Sequence, residues 1–259
     1  MFLASLKRHK DIIFYRTIAG IKSEGRQRYL GYLWFLLEPA LSTAVLYIAF
    51  SQFTGRSGPD SILFILIGMI LWQWFEGSVM VGASAIKAKF HVLNQFNLPK
   101  YIFPLVAIFT NTWKFLCVSV VIFALAAVFG YTPNIYWLWL PVFFALQLAL
   151  IIGITLPVSI GVTLWNDFQT IVSTIFRLLF FLSGIFFSVS SVPEDLLGWF
   201  YANPMAVFME SGRAIILRGE PPPWEHLPLA IAITLVFFAL GLVLHARYDK
   251  RILKLTNAV

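Results

Sequence analysis

Apolar residues run through this chain in long blocks, and the polar positions between them fall at regular breaks. Six blocks, 30–53, 62–86, 101–129, 137–163, 170–190 and 228–246, each approach or exceed the roughly 20 residues that an α-helix needs to cross a bilayer. The pattern predicts an all-α integral membrane protein with six transmembrane helices in one domain, residues 1–259. The first block has a sharp threshold. Arg26 and Arg28 lead into Tyr29, Tyr32 and Trp34, basic and aromatic types that collect at membrane interfaces. Gly31 and Pro39, poor in helix interiors in water, predict a local bend or a close helix contact.

Two stretches break the pattern. Residues 1–28 place Leu3, Leu6, Ile12, Ile13, Ile18 and Ile21 among Lys7, Arg8, Lys10, Arg16 and Lys22. This predicts an amphipathic helix lying on the cytoplasmic leaflet, with a loosely ordered basic tail as the alternative. Residues 191–227 are apolar but interrupted. Ser191 and Glu194 have capping-box spacing around Pro193, and Asn203-Pro204 is a second cap-and-start signal for a helix ending before Gly219. Two short helices are expected there, either as a re-entrant hairpin covered by protein or water, or as a cap resting on lipid. Glu210 and Arg213, three apart, are placed to pair on one helix face.

Composition agrees with the pattern: 59% of the residues are hydrophobic and 12% charged, against about 25% charged in a soluble domain. The net charge of +7 points to topology instead of nucleic acid. Of nineteen Lys and Arg, fourteen fall in the N-terminal segment, the loop 87–100 and the C-terminal tail, and three fall on the opposite side. The positive-inside rule then makes both termini cytoplasmic. The first apolar block follows a charge-rich stretch too long for the n-region of a cleaved signal peptide, so the N-terminus is expected to be retained. Cys117, alone, permits no intrachain disulfide and reads as a buried small hydrophobe.

No phosphate loop, His-Glu-x-x-His or Gly-x-Ser-x-Gly motif is present, and His9, His91, His226 and His245 are scattered. No catalytic constellation or cysteine metal site is expected. Glu38, Glu76, Lys114 and Arg177 fall within spans, where a charge defaults to function or to a paired structural role. Lys114 or Arg177 is expected to offset Glu38 or Glu76. The many aromatics, Trp72, Trp74, Phe186 and Phe187 among them, suit a sugar-binding path, a lipid-facing belt or helix packing. The loop 87–100 carries Phe90, Val92, Leu93 and Phe96 among Lys87, Lys89 and His91, a stripe that fits a partner's groove or a lipid surface.

The run Leu30-Gly-Tyr-Leu-Trp-Phe-Leu-Leu-Glu-Pro39 resembles the permease subunit of bacterial polysaccharide ABC exporters, the ABC-2 type family that moves capsular polysaccharide, O-antigen or teichoic acid. Trp72-Gln-Trp-Phe75, Asn97-Leu-Pro99, Asn166-Asp-Phe-Gln169, Ser183-Gly-Ile-Phe-Phe187, Pro193 and Asn203-Pro204 continue the likeness in order. The resemblance implies six spans, an N-terminal interfacial helix, two short re-entrant helices and a homodimer in the bacterial inner membrane. Its central path would carry a lipid-linked polysaccharide past Tyr29, Trp34, Glu38, Trp72, Trp74, Glu76, Lys114, Arg177, Phe186 and Phe187. Pro193, Asn203, Pro204, Glu210 and Arg213 would form an external gate. Lys87, Lys89, Phe90, Leu93, Phe96, Lys100, Asn166 and Asp167 would meet two copies of a separate ATPase, which holds ATP and Mg while this chain binds no cofactor. A periplasmic co-polymerase or adaptor stays open as a further partner. A secondary transporter would typically show repeats and midplane ion ligands, and a membrane-embedded enzyme would need clustered acid, base or nucleophile. Neither is visible.

Overall fold

The computed structural model describes residues 2–27, 29–54, 58–89, 98–165 and 167–248, and every regular element among them is helical. Five segments, Gly31–Ala49, Asp60–Ala88, Ile102–Val128, Ile135–Leu164 and Leu227–Tyr248, are long and apolar enough to cross a membrane. Phe90, Leu93, Phe96 and Asn166 lie outside the described residues.

Helix α1 (Phe2–Gln27) ends in a short 3-10 turn, Gly31–Leu33, where Gly31 has φ +50°, a conformation that glycine takes without a Cβ penalty. Helix α2 (Trp34–Thr54) carries Pro39 inside it and leads to α3 (Pro59–Ala88). Helices α4 (Ile102–Val128), α5 (Leu140–Leu164) and α6 (Phe168–Leu182) follow. Then come α7 (Glu194–Tyr201), α8 (Pro204–Arg213) and α9 (Leu227–Tyr248).

Helix α3 is the centre of the bundle, with Leu63, Val79, Ala83 and Ile86 fully buried. It packs against α4 and α5 on two sides. Its contacts give the directions. Gly77 and Trp74 meet Asn111 and Thr112 of α4, and Gly82 lies near the carbonyl of Pro104, so these two helices are antiparallel. Leu71 meets Gln147 and Gly82 meets Thr155, so α3 and α5 run the same way. Helices α5 and α9 cross at Gly153 and Gly241, where a Cβ on Gly153 would stand 2.6 Å from the backbone of Phe237 and Phe238. Only glycine lets two backbones approach this closely. Gly153→Leu should force α5 and α9 apart and destabilise the protein by about 1–3 kcal/mol. A lower thermal midpoint of the detergent-purified variant would register this, and an unchanged midpoint would refute it.

Helix α1 docks on α4 in parallel register. Tyr101 Oη lies 3.4 Å from His9 Nδ1, Arg16 sits over the Phe103 ring, and Gly20 faces Thr110. Its buried Ile13 therefore serves the bundle, while Arg16, Lys22 and Arg26 stay exposed. The structure ends the fifth apolar block earlier than its composition suggests. Helix α6 stops at Leu182, and Gly184, at φ +74°, turns the chain out of helix.

Two local expectations are corrected. Pro193, with no side-chain hydrogen bond, stands at the α7 N-cap, and Ser191 belongs to a separate 3-10 turn, so the Ser191–Glu194 capping box does not form. Cys117 is exposed on α4, not buried. By contrast, Asn203 Oδ1 accepts from Met205 N at 3.0 Å with Pro204 in the first turn of α8. Every residue from Met205 to Arg213 is buried, so α8 is inserted among α3, α5 and α9, whereas Leu196 and Trp199 of α7 face outward.

The two ends of the bundle differ in charge. At one end Ile86, Phe103 and Ile160 cluster with Leu164 and Tyr248, which gathers the ends of loop 87–100, the turn at 165–167 and the end of α9. Lys87, Lys89, Lys100 and Arg247 belong to this end. At the other end lie Asp60, Glu194, Asp195, Glu220 and Glu225 with Arg218. There the Tyr131 hydroxyl donates to the Asp60 carboxylate. That hydrogen bond, with burial and the Asp60 charge, pushes Tyr131 up to about 12 and keeps it a neutral phenol.

Candidate functional site: a polar belt inside the helix bundle

A cavity of about 240 Å³ opens between α2, α3 and α4, lined by Glu24, Glu38, Gln73, Gly77, Asn111 and Lys114 together with aromatic side chains. Lys114 Nζ is the centre of the arrangement. It contacts Glu24 Oε2 at 2.5 Å, donates to Asn111 Oδ1 at 3.0 Å and lies over the Phe35 ring. Asn111 in turn donates to the Gly77 carbonyl, which fixes its amide and the lysine bound to it. An ammonium, a carboxylate and amides around one small cavity offer donors and acceptors suited to hydroxylated ligands.

The partners expected of the span charges are therefore corrected. Lys114 pairs with Glu24 of α1, outside the spans, because the parallel docking of α1 on α4 brings residue 24 level with residue 114. Glu76 accepts from Trp72 Nε1 at 2.7 Å. Glu38 and Arg177 are exposed, and neither has an ion-pair partner among the described residues.

The aromatic residues divide by burial. Trp72 is 1% exposed and packs against Phe75, Phe176 and Phe180. Trp74 is stacked on Phe115 at 4.0 Å and donates to Thr112. Both build helix contacts, though Trp74 also borders the cavity. Tyr29 is fully exposed, Trp34 half-buried, and Phe186 and Phe187 half-buried beyond the end of α6, with Phe187 against Phe200. Among the expected coupling residues, Lys87 and Lys89 are exposed, Lys100 is buried, and Asp167 is the exposed N-cap of α6.

The 191–227 region holds a second polar centre. Arg213, fully buried, does not pair with Glu210. It donates to the carbonyls of Phe64 (3.2 Å), Gly184 (2.7 Å) and Ile185 (2.9 Å) and lies 3.5 Å over the Phe64 ring. Gly68 makes room for it, since a Cβ there would meet Nη2 at 2.6 Å. Glu210 pairs with Arg218 at 2.8 Å, and Arg218 also reaches Glu220. A π-turn at Ala214–Arg218, ended by Gly219 at φ +65°, shifts the register so that Arg218 reaches back eight residues. Sequence spacing alone could not show that turn. Asn203 Nδ2 also donates to Ser183 Oγ, a link from the α8 cap to the end of α6.

Among the described residues the elements are helical, five of them long and apolar enough to cross a membrane, with internal polar groups and a buried short helix, the architecture of a multi-pass membrane protein. The profile of the ABC-2 type transporter family matches residues 14–217, and the chain belongs to that family. It is 28% identical over 219 residues to the O-antigen export system permease protein RfbA of Myxococcus xanthus, covering 83% of this chain and 84% of that one. An RfbA of Klebsiella pneumoniae is 26% identical over 81% of each chain. The polysialic acid transport protein KpsM of Escherichia coli is 25% identical, over 86% of this chain and 88% of its own.

Proposed function

We propose that this chain is the permease subunit of an ATP-driven exporter that moves a lipid-linked cell-surface polysaccharide, capsule or O-antigen, out of the cytoplasm. The family membership over most of the chain carries the reading, with relatives named for O-antigen and polysialic acid transport. The polar belt around Lys114 supports it as a surface on which sugar hydroxyls can exchange hydrogen bonds. The chain works as a homodimer with six passes per protomer, α6 being the fifth, and α8 re-enters the bundle from outside. The excess of Lys and Arg at the end bearing loop 87–100 makes that end cytoplasmic, and both termini with it.

Because the sequence has no phosphate loop, energy must arrive through a partner ATPase, two copies per dimer, that holds ATP and Mg. In this reading it docks at the basic end, and Lys87, Lys89, Phe90, Leu93, Phe96, Lys100, Asn166 and Asp167 are its proposed contacts. Phe90→Asp and Leu93→Asp should lose co-purification of the ATPase and export while the permease still inserts. A charge in an apolar docking stripe costs on the order of 2–3 kcal/mol, or a fall of roughly 30- to 150-fold in affinity. Normal ATPase recovery with normal export in both variants would overturn the coupling assignment.

A further inference from the structure

Glu38 and Arg177, opposite in sign, have no ion-pair partner among the described residues. Glu38 stands on α2 at the head of an exposed apolar stripe, Leu41, Val45 and Ile48, with the 3-4-3 spacing of one helix face. Arg177 stands on α6 among exposed Ile175, Leu178 and Phe181. Their depths match. Glu38 borders the cavity beside Gln73 and Gly77 of α3. Phe176, next to Arg177, packs on Trp72 and Phe75 of the same helix. Both charges thus lie along the middle of α3, within residues 70–81, where the cavity lining and the Phe176 contacts both fall. Their positions around α3 differ: α2 reaches it beside α4, and α6 reaches it beside α5.

A charge facing hydrocarbon is heavily penalised, so each needs a partner that its own protomer does not supply among the described residues. A second copy does. A two-fold axis along the membrane normal preserves depth and brings one flank of a protomer against the other flank of its mate, and each contact then occurs twice. We infer that Glu38 of one protomer pairs with Arg177 of a second copy of this chain, so that the α2 stripe packs on the partner's α6 and two symmetric ion pairs close the dimer. This rests on the homodimer proposed above and names the residues that hold it. Lys114 takes no part, since Glu24 already occupies it.

Two measurements separate this pairing from dimerisation itself. In a Cys117→Ser background, differently tagged full-length chains carrying Glu38→Cys or Arg177→Cys are co-expressed in membranes and treated with a short bismaleimide. The expected product is a species of twice the chain mass bearing both tags, absent when either cysteine is omitted. Tags that co-purify without this cross-link would overturn the pair and leave the dimer standing. Tags that never co-purify would overturn the dimer as well. In export assays, Glu38→Arg or Arg177→Glu alone should reduce glycan export by on the order of tenfold or more. The double swap should recover most of it. A swap no better than the single variants, or recovery when Glu76 is exchanged with Arg177 instead, would overturn the assignment.

Discussion

Arg213→Ala should be the most damaging single substitution in the protein, destabilising it by on the order of 3–5 kcal/mol. The guanidinium serves three carbonyls at once, those of Phe64, Gly184 and Ile185, and it is fully buried, so no water replaces it. Two of those carbonyls lie where α6 has already ended and no helix turn can satisfy them. Alanine leaves all three without this donor and empties the space over Phe64. Arg213→Lys keeps the charge but loses the fork that reaches separate acceptors, so it should recover only part of the stability. Glu210→Gln should be mild, because its partner Arg218 is 39% exposed and already shares Glu220. Thermal unfolding in detergent and export in cells would measure the series. An Arg213→Ala protein with the parental midpoint would refute the role.

Lys114→Met and Glu24→Gln should each lower stability or export, by about 1–3 kcal/mol in midpoint terms, and their combination should recover part of the loss. Lysine removal strands Glu24 beside Glu38 on a cavity that already carries acidic excess. Glutamine at 24 can still accept a hydrogen bond but carries no charge, so the ammonium over Phe35 and beside Asn111 loses its ion-pair partner. Neutralising both restores the cavity's original net charge and leaves only the lost attraction. Lys114→Met combined with Glu38→Gln, by contrast, should recover less, since no ion pair joins those two and only their shared cavity couples them. Additive losses for Lys114 and Glu24 would refute their coupling.

The apolar blocks announced α2, α3, α4, α5 and α9 because a helix that meets lipid on one side and protein on the other is apolar all round. Asn203-Pro204 announced α8 because capping is chemistry between neighbours in sequence, and Asn203 Oδ1 performs it. The ion-pair partners were not legible. Glu24 meets Lys114 across 90 positions of chain, and Arg213 meets Phe64 across 149, separations to which no periodicity speaks. The end of α6 was hidden for a different reason. Gly184-Ile-Phe-Phe187 is as apolar as the helix before it, and hydropathy registers solvent and not φ. For Trp72 and Trp74 helix packing was one of the readings their aromatic character allowed, but not which helices, since their packing partners come from α4, α5 and α6.

The shortness of α6 has a consequence for the lipid around it. Fifteen residues rise about 22 Å, whereas the hydrocarbon layer is about 30 Å thick. Helix α4, at 27 residues and with Leu116, Val120 and Val121 exposed, overshoots that layer, so one protomer presents both a long and a short wall to the same bilayer. Such hydrophobic mismatch is relieved by thinning the membrane at the short wall, at fractions of a kcal/mol per Å. Wherever a second copy leaves the C-terminal end of α6 uncovered, at Leu182 and beyond, the bilayer must thin to meet it.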